Sequence, residues 1–168
     1  MNKLKINLLL LLLYPLFAGA KEVNLSSPNK VLHVVVTAEK NVSMQVLHKE
    51  NVLFTVRDIY LDTDQGMLPK LNAKVHSIKK NAVDQIIVPE IKEKNSRIVD
   101  RYNEISLLFA DKTKLEIRLY DNGVAYRIST NCKGELTIFD EAADFAFDPS
   151  STLFFQKDAN MNSDYEAP

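Results

Sequence analysis

The stretch ISLLFADKTKLEIRLYDNGVAYRIS, residues 105–129, decides the fold of this chain. Apolar and polar residues alternate through 105–110, 115–120 and 124–129, which is the pattern of strands that bury one face. Two short turns separate these runs, Asp111-Lys112-Thr113 and Asp121-Asn122-Gly123. An Asn-Gly pair between two strands is a strong hairpin signal, because both residues tolerate a positive φ. The stretch therefore predicts three successive antiparallel strands.

The same kind of pattern continues on both sides of this stretch. Strands are expected at 31–37, 42–47, 52–56, 73–80 and 86–88, with a one-residue slip that predicts a bulge near Val75. Short strands are also expected at 136–139 and 153–155, whereas 59–71 and the charged segment 90–101 are expected to be irregular or at an edge. Residues 141–147 are expected to form a helical turn or a loop. About nine to eleven short strands predict an all-β, antiparallel sandwich or barrel.

The first twenty residues have the layout of a secretory signal peptide. Lys3 and Lys5 precede an apolar run from Leu8 to Phe17, and Ala18-Gly19-Ala20 offers small residues for cleavage. The run is shorter than the roughly 20 apolar residues that span a bilayer. We therefore expect residues 1–20 to be removed, leaving one domain at 21–168 with no membrane contact; an uncleaved N-terminal anchor is the alternative.

Composition and motifs exclude several functions. The formal net charge is −1, so no basic surface for nucleic acid is expected. Cys132 is the only cysteine, which excludes an internal disulfide. Phosphate-binding glycine loops and a nucleophile elbow are absent, and the three histidines have no metal-ligand spacing. Asp62 and Asp64 resemble a calcium loop that lacks its later acidic ligands. No catalytic residue is predicted.

Three segments, in order, resemble one family. They are the opening 23–31 (VNLSSPNKV), the central Arg101-Tyr102-Asn103-Glu104 that leads into 117–127 (IRLYDNGVAYR), and the tail 162–166 (NSDYE). The central segment is the most specific of the three. Together they resemble the N-terminal domain of family 97 glycoside hydrolases, and the resemblance covers about residues 23–168.

This resemblance implies a fold, a chemistry and a compartment. The fold would be a galactose-mutarotase-like β-super-sandwich, here incomplete, which in the family precedes a catalytic (β/α)8 barrel. The family hydrolyses α-glucosides or α-galactosides in the periplasm of Gram-negative bacteria. Its active site holds Ca²⁺, and Glu166 matches the one calcium ligand that the N-terminal domain contributes. Arg118 and Arg127 match family positions with an expected structural role, in which they face each other across the hairpin and pair with carboxylates.

Two functional hypotheses follow. In the first, the chain is an accessory carbohydrate-binding domain of an exported α-glycosidase; it contributes to the edge of the active site and to the calcium site, and its partner is the missing catalytic barrel. In the second, it is a stand-alone glycan-binding or protein-interaction module. In this second hypothesis, four tyrosines would stack against sugar rings. The alternative is that the same tyrosines are buried in the core. They are Tyr102, Tyr120, Tyr126 and Tyr165.

Overall fold

The computed structural model describes residues 21–91, 94–156 and 166–167, and all regular structure within them is β. No helix in these ranges is long and apolar enough to cross a membrane. The strands are β1 (Lys21–Ser26), β2 (Leu32–Ala38), β3 (Val42–His48), β4 (Asn51–Thr63), β5 (Val75–Ile87), β6 (Ile98–Phe109), β7 (Lys114–Tyr120), β8 (Val124–Ser129), β9 (Ile138–Phe147), β10 (Phe155–Gln156) and β11 (Glu166–Ala167). The expected all-β class is confirmed.

The strands form two antiparallel sheets and one short pair. The first sheet has the order β1-β2-β3-β4-β9, and the second has the order β5-β6-β7-β8. The short strands β10 and β11 pair with each other. The chain passes from the first sheet to the second between β4 and β5, and it returns between β8 and β9. This return adds β9 beside β4, so a strand late in the sequence extends a sheet built from the first four and becomes its edge strand.

The core lies between the two sheets. Alternate residues of each strand point inward, as the period of two requires. The first sheet contributes mainly valines, and the second contributes larger side chains from β6 and β7. The core residues that are at most 2% exposed are Val34, Val36, Met44, Val46, Val56, Ile59, Ile105, Leu107, Phe109, Leu115, Ile117 and Leu119.

The stretch 105–129 forms the three strands that its pattern predicts. Ile117 lies opposite Ile105 on β6 and opposite Tyr126 on β8, so the apolar positions share one face across three strands. The turn after β6 takes its positive φ at Lys112. In the turn after β7, neither Asn122 nor Gly123 has a positive φ. The Asn-Gly pair therefore marks the hairpin correctly, although the positive φ that it would permit is not used.

Several strands are longer than the sequence predicts. β4 continues through residues expected to be irregular, with a register shift between Arg57 and Tyr60. β5 runs unbroken through 81–85, because each of these residues pairs with β6. β6 begins at Ile98, inside the segment expected to be a charged loop. The bulge predicted near Val75 is confirmed by the register shift between Val75 and Ser77.

Two strands correct the sequence-based expectations. β1 was not anticipated, and all six of its residues pair with β2. Residues 141–147 were expected to be a helical turn or loop, and this is wrong: they belong to β9 and pair with β4. The acidic composition of 140–144 gives no local indication of a strand. The strand conformation comes from backbone pairing with β4 and from the contact of Phe145 with Phe54.

The two sheets are offset from each other. β1 contacts β6 and β2 contacts β7 across the core. The offset places β1, the first strand of its sheet, opposite the second strand of the other sheet, and β8 reaches β9 through the hydrogen bond from Tyr126 to Glu141. The exposed fraction shows the effect: Phe145 on β9 is 50% exposed, whereas Val36 on β2 is 0% exposed.

Candidate functional site

The outward side of β6, β7 and β8 carries a connected set of charged and aromatic side chains, which we call the polar face. Its members alternate with the core residues of the same strands, so they point away from the first sheet. They are Tyr102, Glu104, Lys114, Glu116, Arg118, Tyr120 and Arg127. Within the described ranges, three of the four ion pairs lie on this face, and the fourth is beside it at the turn after β7.

Arg118 is the centre of one part of the polar face. It lies opposite Glu104 in the sheet, and its Nε donates to Glu104 Oε2 at 2.7 Å. This hydrogen bond raises the pKa of Arg118. The guanidinium carbon lies 4.5 Å from the centre of the Tyr102 ring, a cation–π geometry. The Tyr120 ring packs against the Tyr102 ring, with ring centres 5.1 Å apart.

The Tyr102 ring is therefore covered by neighbouring side chains and is not accessible to a ligand. It is only 5% exposed although it points outward, and this burial raises its pKa. A sugar ring needs an open aromatic face for stacking, and Arg118 occupies that face. Tyr126 is also unavailable, because it points toward the core opposite Ile117. Tyr120 is half-buried and lines a groove. Tyr165 lies outside the described residues.

Glu116 is the centre of the other part of the polar face. Its two oxygens accept from Lys114 Nζ at 2.8 Å and from the Arg127 guanidinium at 2.7 and 3.0 Å. Partial burial opposes ionisation of Glu116, but the hydrogen bonds from Lys114 and Arg127 outweigh it, and its pKa is lowered. A general acid in glycoside hydrolysis requires a raised pKa. This carboxylate is thus held ionised in a structural contact.

A shallow groove of about 180 Å³ crosses the polar face. Its floor includes Ala125, which lies opposite Arg118 and leaves space because its side chain is small. The walls bring two guanidinium groups and a carboxylate to one place, so the groove can donate and accept hydrogen bonds but offers no unpaired acid. It is lined by Glu116, Arg118, Tyr120, Ala125, Tyr126 and Arg127.

The prediction that Arg118 and Arg127 pair with carboxylates is confirmed, whereas the prediction that they face each other across the hairpin is wrong. Arg118 is opposite Ala125, and Arg127 is opposite Glu116. Each arginine therefore bonds a different glutamate on a neighbouring strand. The two pairs tie β6 to β7 and β7 to β8, which is a structural role.

Asp121 joins the two sheets at one end of the polar face. Its Oδ1 accepts from the backbone N–H of Asn29 at 2.8 Å, and its Oδ2 accepts from Arg101 at 2.5 Å. The pKa of Asp121 is lowered, first by the Asn29 hydrogen bond and then by Arg101, against the effect of desolvation. Asn29 belongs to the opening segment and Asp121 to the central one. The structure thus places two of the three recognised segments in contact.

A larger cleft of about 510 Å³ opens between β1 and the β5–β6 pair. Lys80 Nζ donates to the backbone carbonyl of Asn24 at 3.0 Å. Asn103 Nδ2 donates to the carbonyl of Ser26 at 2.8 Å. Both contacts satisfy carbonyls on the free edge of β1. Sequence reasoning did not identify Asn103 or Asn29 as contact residues, because the hydrogen-bond partner of each is far away in sequence.

No metal centre forms within the described residues. No group of three or more His, Cys, Asp or Glu side chains there could hold an ion. Asp64 of the calcium-like segment instead accepts from the backbone N–H of Thr137 at 3.2 Å. Glu166 lies on β11 opposite Gln156, and its side chain is outside the described part. Ca²⁺ takes about six to eight oxygen ligands, so one carboxylate alone cannot form its site.

Comparison with known proteins shows which family this sequence matches. Residues 25–168 match the family described as glycosyl-hydrolase 97 N-terminal. The chain is 26% identical over 170 positions to a retaining alpha-galactosidase of Bacteroides thetaiotaomicron. That alignment covers 98% of this chain and 26% of the relative, so the chain spans about a quarter of the length of the curated protein that it matches.

Solved structures share the fold. A glycoside hydrolase family 97 enzyme in complex with acarbose, from Pseudoalteromonas sp. strain K8, aligns with a TM-score of 0.67 and 15% identity, covering 76% of this chain and 20% of that one. The crystal structure of a beta-arabinopyranosidase aligns with a TM-score of 0.69 and 21% identity, covering 80% and 22%. At these identities the likeness establishes the two-sheet architecture alone.

Proposed function

Because the chain belongs to the glycosyl-hydrolase 97 N-terminal family, we propose that it acts as the accessory domain of an exported α-glycosidase. In this proposal the domain contributes to the edge of the active site and to its calcium site, and a catalytic barrel performs the hydrolysis. The substrate is an α-glucoside or an α-galactoside. The observation that carries the proposal is the family match over 25–168, in a chain that covers 26% of its α-galactosidase relative.

The chemistry of the polar face supports a non-catalytic role. Hydrolysis of a glycoside needs two carboxyl groups about 5 to 10 Å apart, one of them available as an acid. Glu104 and Glu116 are each hydrogen-bonded to an arginine, and the pKa of Glu116 is lowered. Such carboxylates stabilise the sheet rather than donate protons to a leaving group.

Glu166 is the residue that we propose as a calcium ligand. A carboxylate is the ligand type that a hard cation prefers, and the remaining oxygens would come from the barrel. When bound there, the ion would supply positive charge that polarises the substrate. Residues 1–20 lie outside the described residues; we propose that they direct export to the periplasm and are then removed.

A chimeric enzyme tests this function. The first quarter of the Bacteroides thetaiotaomicron α-galactosidase would be replaced by residues 21–168 of this protein, and hydrolysis of nitrophenyl α-galactoside measured with and without Ca²⁺. We expect activity from the chimera and none from this chain alone. We expect Glu166→Gln to weaken the apparent Ca²⁺ affinity of the chimera by about tenfold, the effect of losing one good charged contact.

The matched control is Glu135→Gln, which changes an exposed glutamate elsewhere in the domain. It should leave the Ca²⁺ dependence unchanged. A folded chimera that is inactive, or an isolated chain that hydrolyses the substrate, would overturn the proposal. Equal effects of the two substitutions would remove Glu166 from the calcium site.

A further inference from the structure

The groove on the polar face has N–H donors that no acceptor within the described ranges takes. A guanidinium carries five N–H donors. Arg118 gives its Nε to Glu104, whereas Arg127 gives its Nε and one Nη to Glu116. Both arginines line the groove and are in contact with solvent, since 41% of the Arg118 side chain and 66% of the Arg127 side chain are exposed. Each guanidinium is therefore held in place by a glutamate and has further N–H groups for a ligand.

The two arginines lie on either side of a small residue. Ala125 is opposite Arg118, and Glu116 is opposite Arg127, so the arginines are diagonal neighbours on β7 and β8. Diagonal neighbours on adjacent strands are about 7–8 Å apart, which is within the combined reach of two long side chains. Because the side chain of Ala125 is a single methyl group, the space between the two guanidinium groups is open. One anionic group above Ala125 can therefore contact both arginines.

The charge of the polar face favours an anion with one negative charge. The face has three cations and two carboxylates, so one positive charge is in excess. The cations are Lys114, Arg118 and Arg127, and the carboxylates are Glu104 and Glu116. A monoanion balances this excess, whereas a dianion such as phosphate would leave the face negative beside two carboxylates that are mostly buried. The planar fork of a guanidinium also matches a carboxylate, which it can bind through two parallel N–H···O bonds.

The wall and the size of the groove indicate what carries the carboxylate. Tyr120 lines the groove two residues from Arg118, on the same face of β7, and it is half-buried. A tyrosine combines an apolar ring with a polar hydroxyl, which suits the mixed surface of a sugar. The volume of about 180 Å³ equals that of about six water molecules in the liquid. It therefore has room for a carboxylate together with the ring atoms next to it.

We propose that this groove binds the carboxylate of a uronic acid residue in a glycan. Arg118 and Arg127 hold the carboxylate between them, and the sugar ring lies against Tyr120. Every group that takes part belongs to this chain, so binding requires neither Ca²⁺ nor a catalytic partner. Acidic glycans are thus a class of ligand beyond the neutral α-glycosides of the proposed function.

Matched ligands test this class. Methyl α-galacturonide differs from methyl α-galactoside by its carboxylate, and acetate supplies a carboxylate without a ring. Each is titrated onto the full chain by isothermal calorimetry, and the position of binding is read from the NMR shifts of the amides at 116–120 and 124–127. We expect the galacturonide to bind about tenfold tighter than the galactoside, because only the former makes charge-assisted hydrogen bonds to the arginines. We expect acetate and inorganic phosphate to bind more weakly than the galacturonide.

Two variants test the position of the site. Arg127→Gln should weaken galacturonide binding about tenfold, the effect of losing one charge-assisted contact. Its matched control is Lys114→Gln, which removes the same charge from the same partner, Glu116, but outside the groove, and which should retain most of the binding. Ala125→Leu fills the groove without a change of charge and should abolish binding. Its control is Ala82→Leu, at an exposed alanine on β5 outside the groove, which should leave binding unchanged.

Equal binding of the galacturonide and the galactoside would overturn the proposal, as would acetate or inorganic phosphate that binds as tightly as the galacturonide. Equal losses in Arg127→Gln and Lys114→Gln, or NMR shifts confined to another surface, would also overturn it. Urea unfolding shows whether each variant is folded. If a variant does not fold, the comparison of ligands on the parent chain decides. The activity of the chimera tests the proposed function separately.

Discussion

The polar face and the β9 edge are both solvent-contacting parts of the sheets, yet they differ in how completely their groups are satisfied. On the polar face, Glu104 and Glu116 each bond a cation, and Tyr102 lies beneath Arg118. On β9, Phe145 is half exposed and the strand's backbone has a neighbour on one side only. The first surface has its charges paired within the domain, whereas the second leaves an aromatic side chain and one strand edge in contact with solvent.

The largest expected effect is a difference in stability loss between a substitution in the core and a substitution on the β9 edge. Ile117→Ala should lower the free energy of unfolding by about 2–5 kcal/mol, because it leaves a cavity at a position that is fully buried. Phe145→Ala should cost about 1 kcal/mol or less, since half of that side chain is already in water. Urea unfolding of both variants checks this. Equal losses would mean that β9 is covered in solution.

The next effect tests whether the polar face is self-sufficient. Glu104→Gln removes the carboxylate bound by Arg118 and should cost about 1 kcal/mol, a modest value because the Arg118 side chain is 41% exposed. Glu135→Gln, at an exposed position, should change the stability by no more than about 0.5 kcal/mol. Thermal unfolding distinguishes the two. If Glu104→Gln left the stability unchanged, the contact between Glu104 and Arg118 would contribute nothing to the free energy of unfolding.

Acid should weaken the polar face in a predictable direction. The pKa of Glu116 is lowered in the folded state, so the unfolded state takes up the proton first as pH falls. The stabilisation from Glu116 is present at neutral pH, begins to fall below the usual range of a glutamate, and is lost as pH passes the lowered value. Urea unfolding between neutral and acidic pH should show a shallower decline for Glu116→Gln. An unchanged slope would contradict this linkage.

The smallest effect is expected where the two regions meet. Burial, and then the hydrogen bond to Glu141, raise the pKa of Tyr126 to about 12. The neutral phenol is favoured in the folded state, so its contribution is complete below the usual tyrosine pKa and is lost as pH rises through about 12. Ultraviolet titration should show late tyrosines, Tyr102 and Tyr126, and the Tyr126 contribution should disappear in Tyr126→Phe. If all tyrosines titrate together in the parent, the contact is absent in solution.

The sequence predicted the elements whose patterns are local. The strands at 105–110, 115–120 and 124–129, the bulge near Val75 and the all-β class follow from alternation and turn residues. It also supplied the family, through the central segment that includes Arg118 and Arg127. The Asn-Gly turn shows the limit of such a rule, since Gly123 forms the hairpin without the positive φ that glycine permits.

The sequence did not predict β1, the part of β9 after Phe139, or the contacts of Asn29 and Asn103. Residues 140–144 of β9 (DEAAD) contain no β-branched or aromatic residue, so their intrinsic preference for a strand is weak. Their conformation comes from pairing with β4. Asn29 and Asn103 bond groups that are 92 and 77 residues away, and no local pattern encodes such a distance.

The sequence by itself determined which face of each central strand is buried, because the period of two fixes where every second side chain points. Only the tertiary structure decided which buried faces have a partner. The offset between the sheets covers Val36 and leaves Phe145 half exposed, although both are apolar residues on inward faces. Burial depends on what lies opposite a residue in space, and this is set by the order of strands that are distant in the chain.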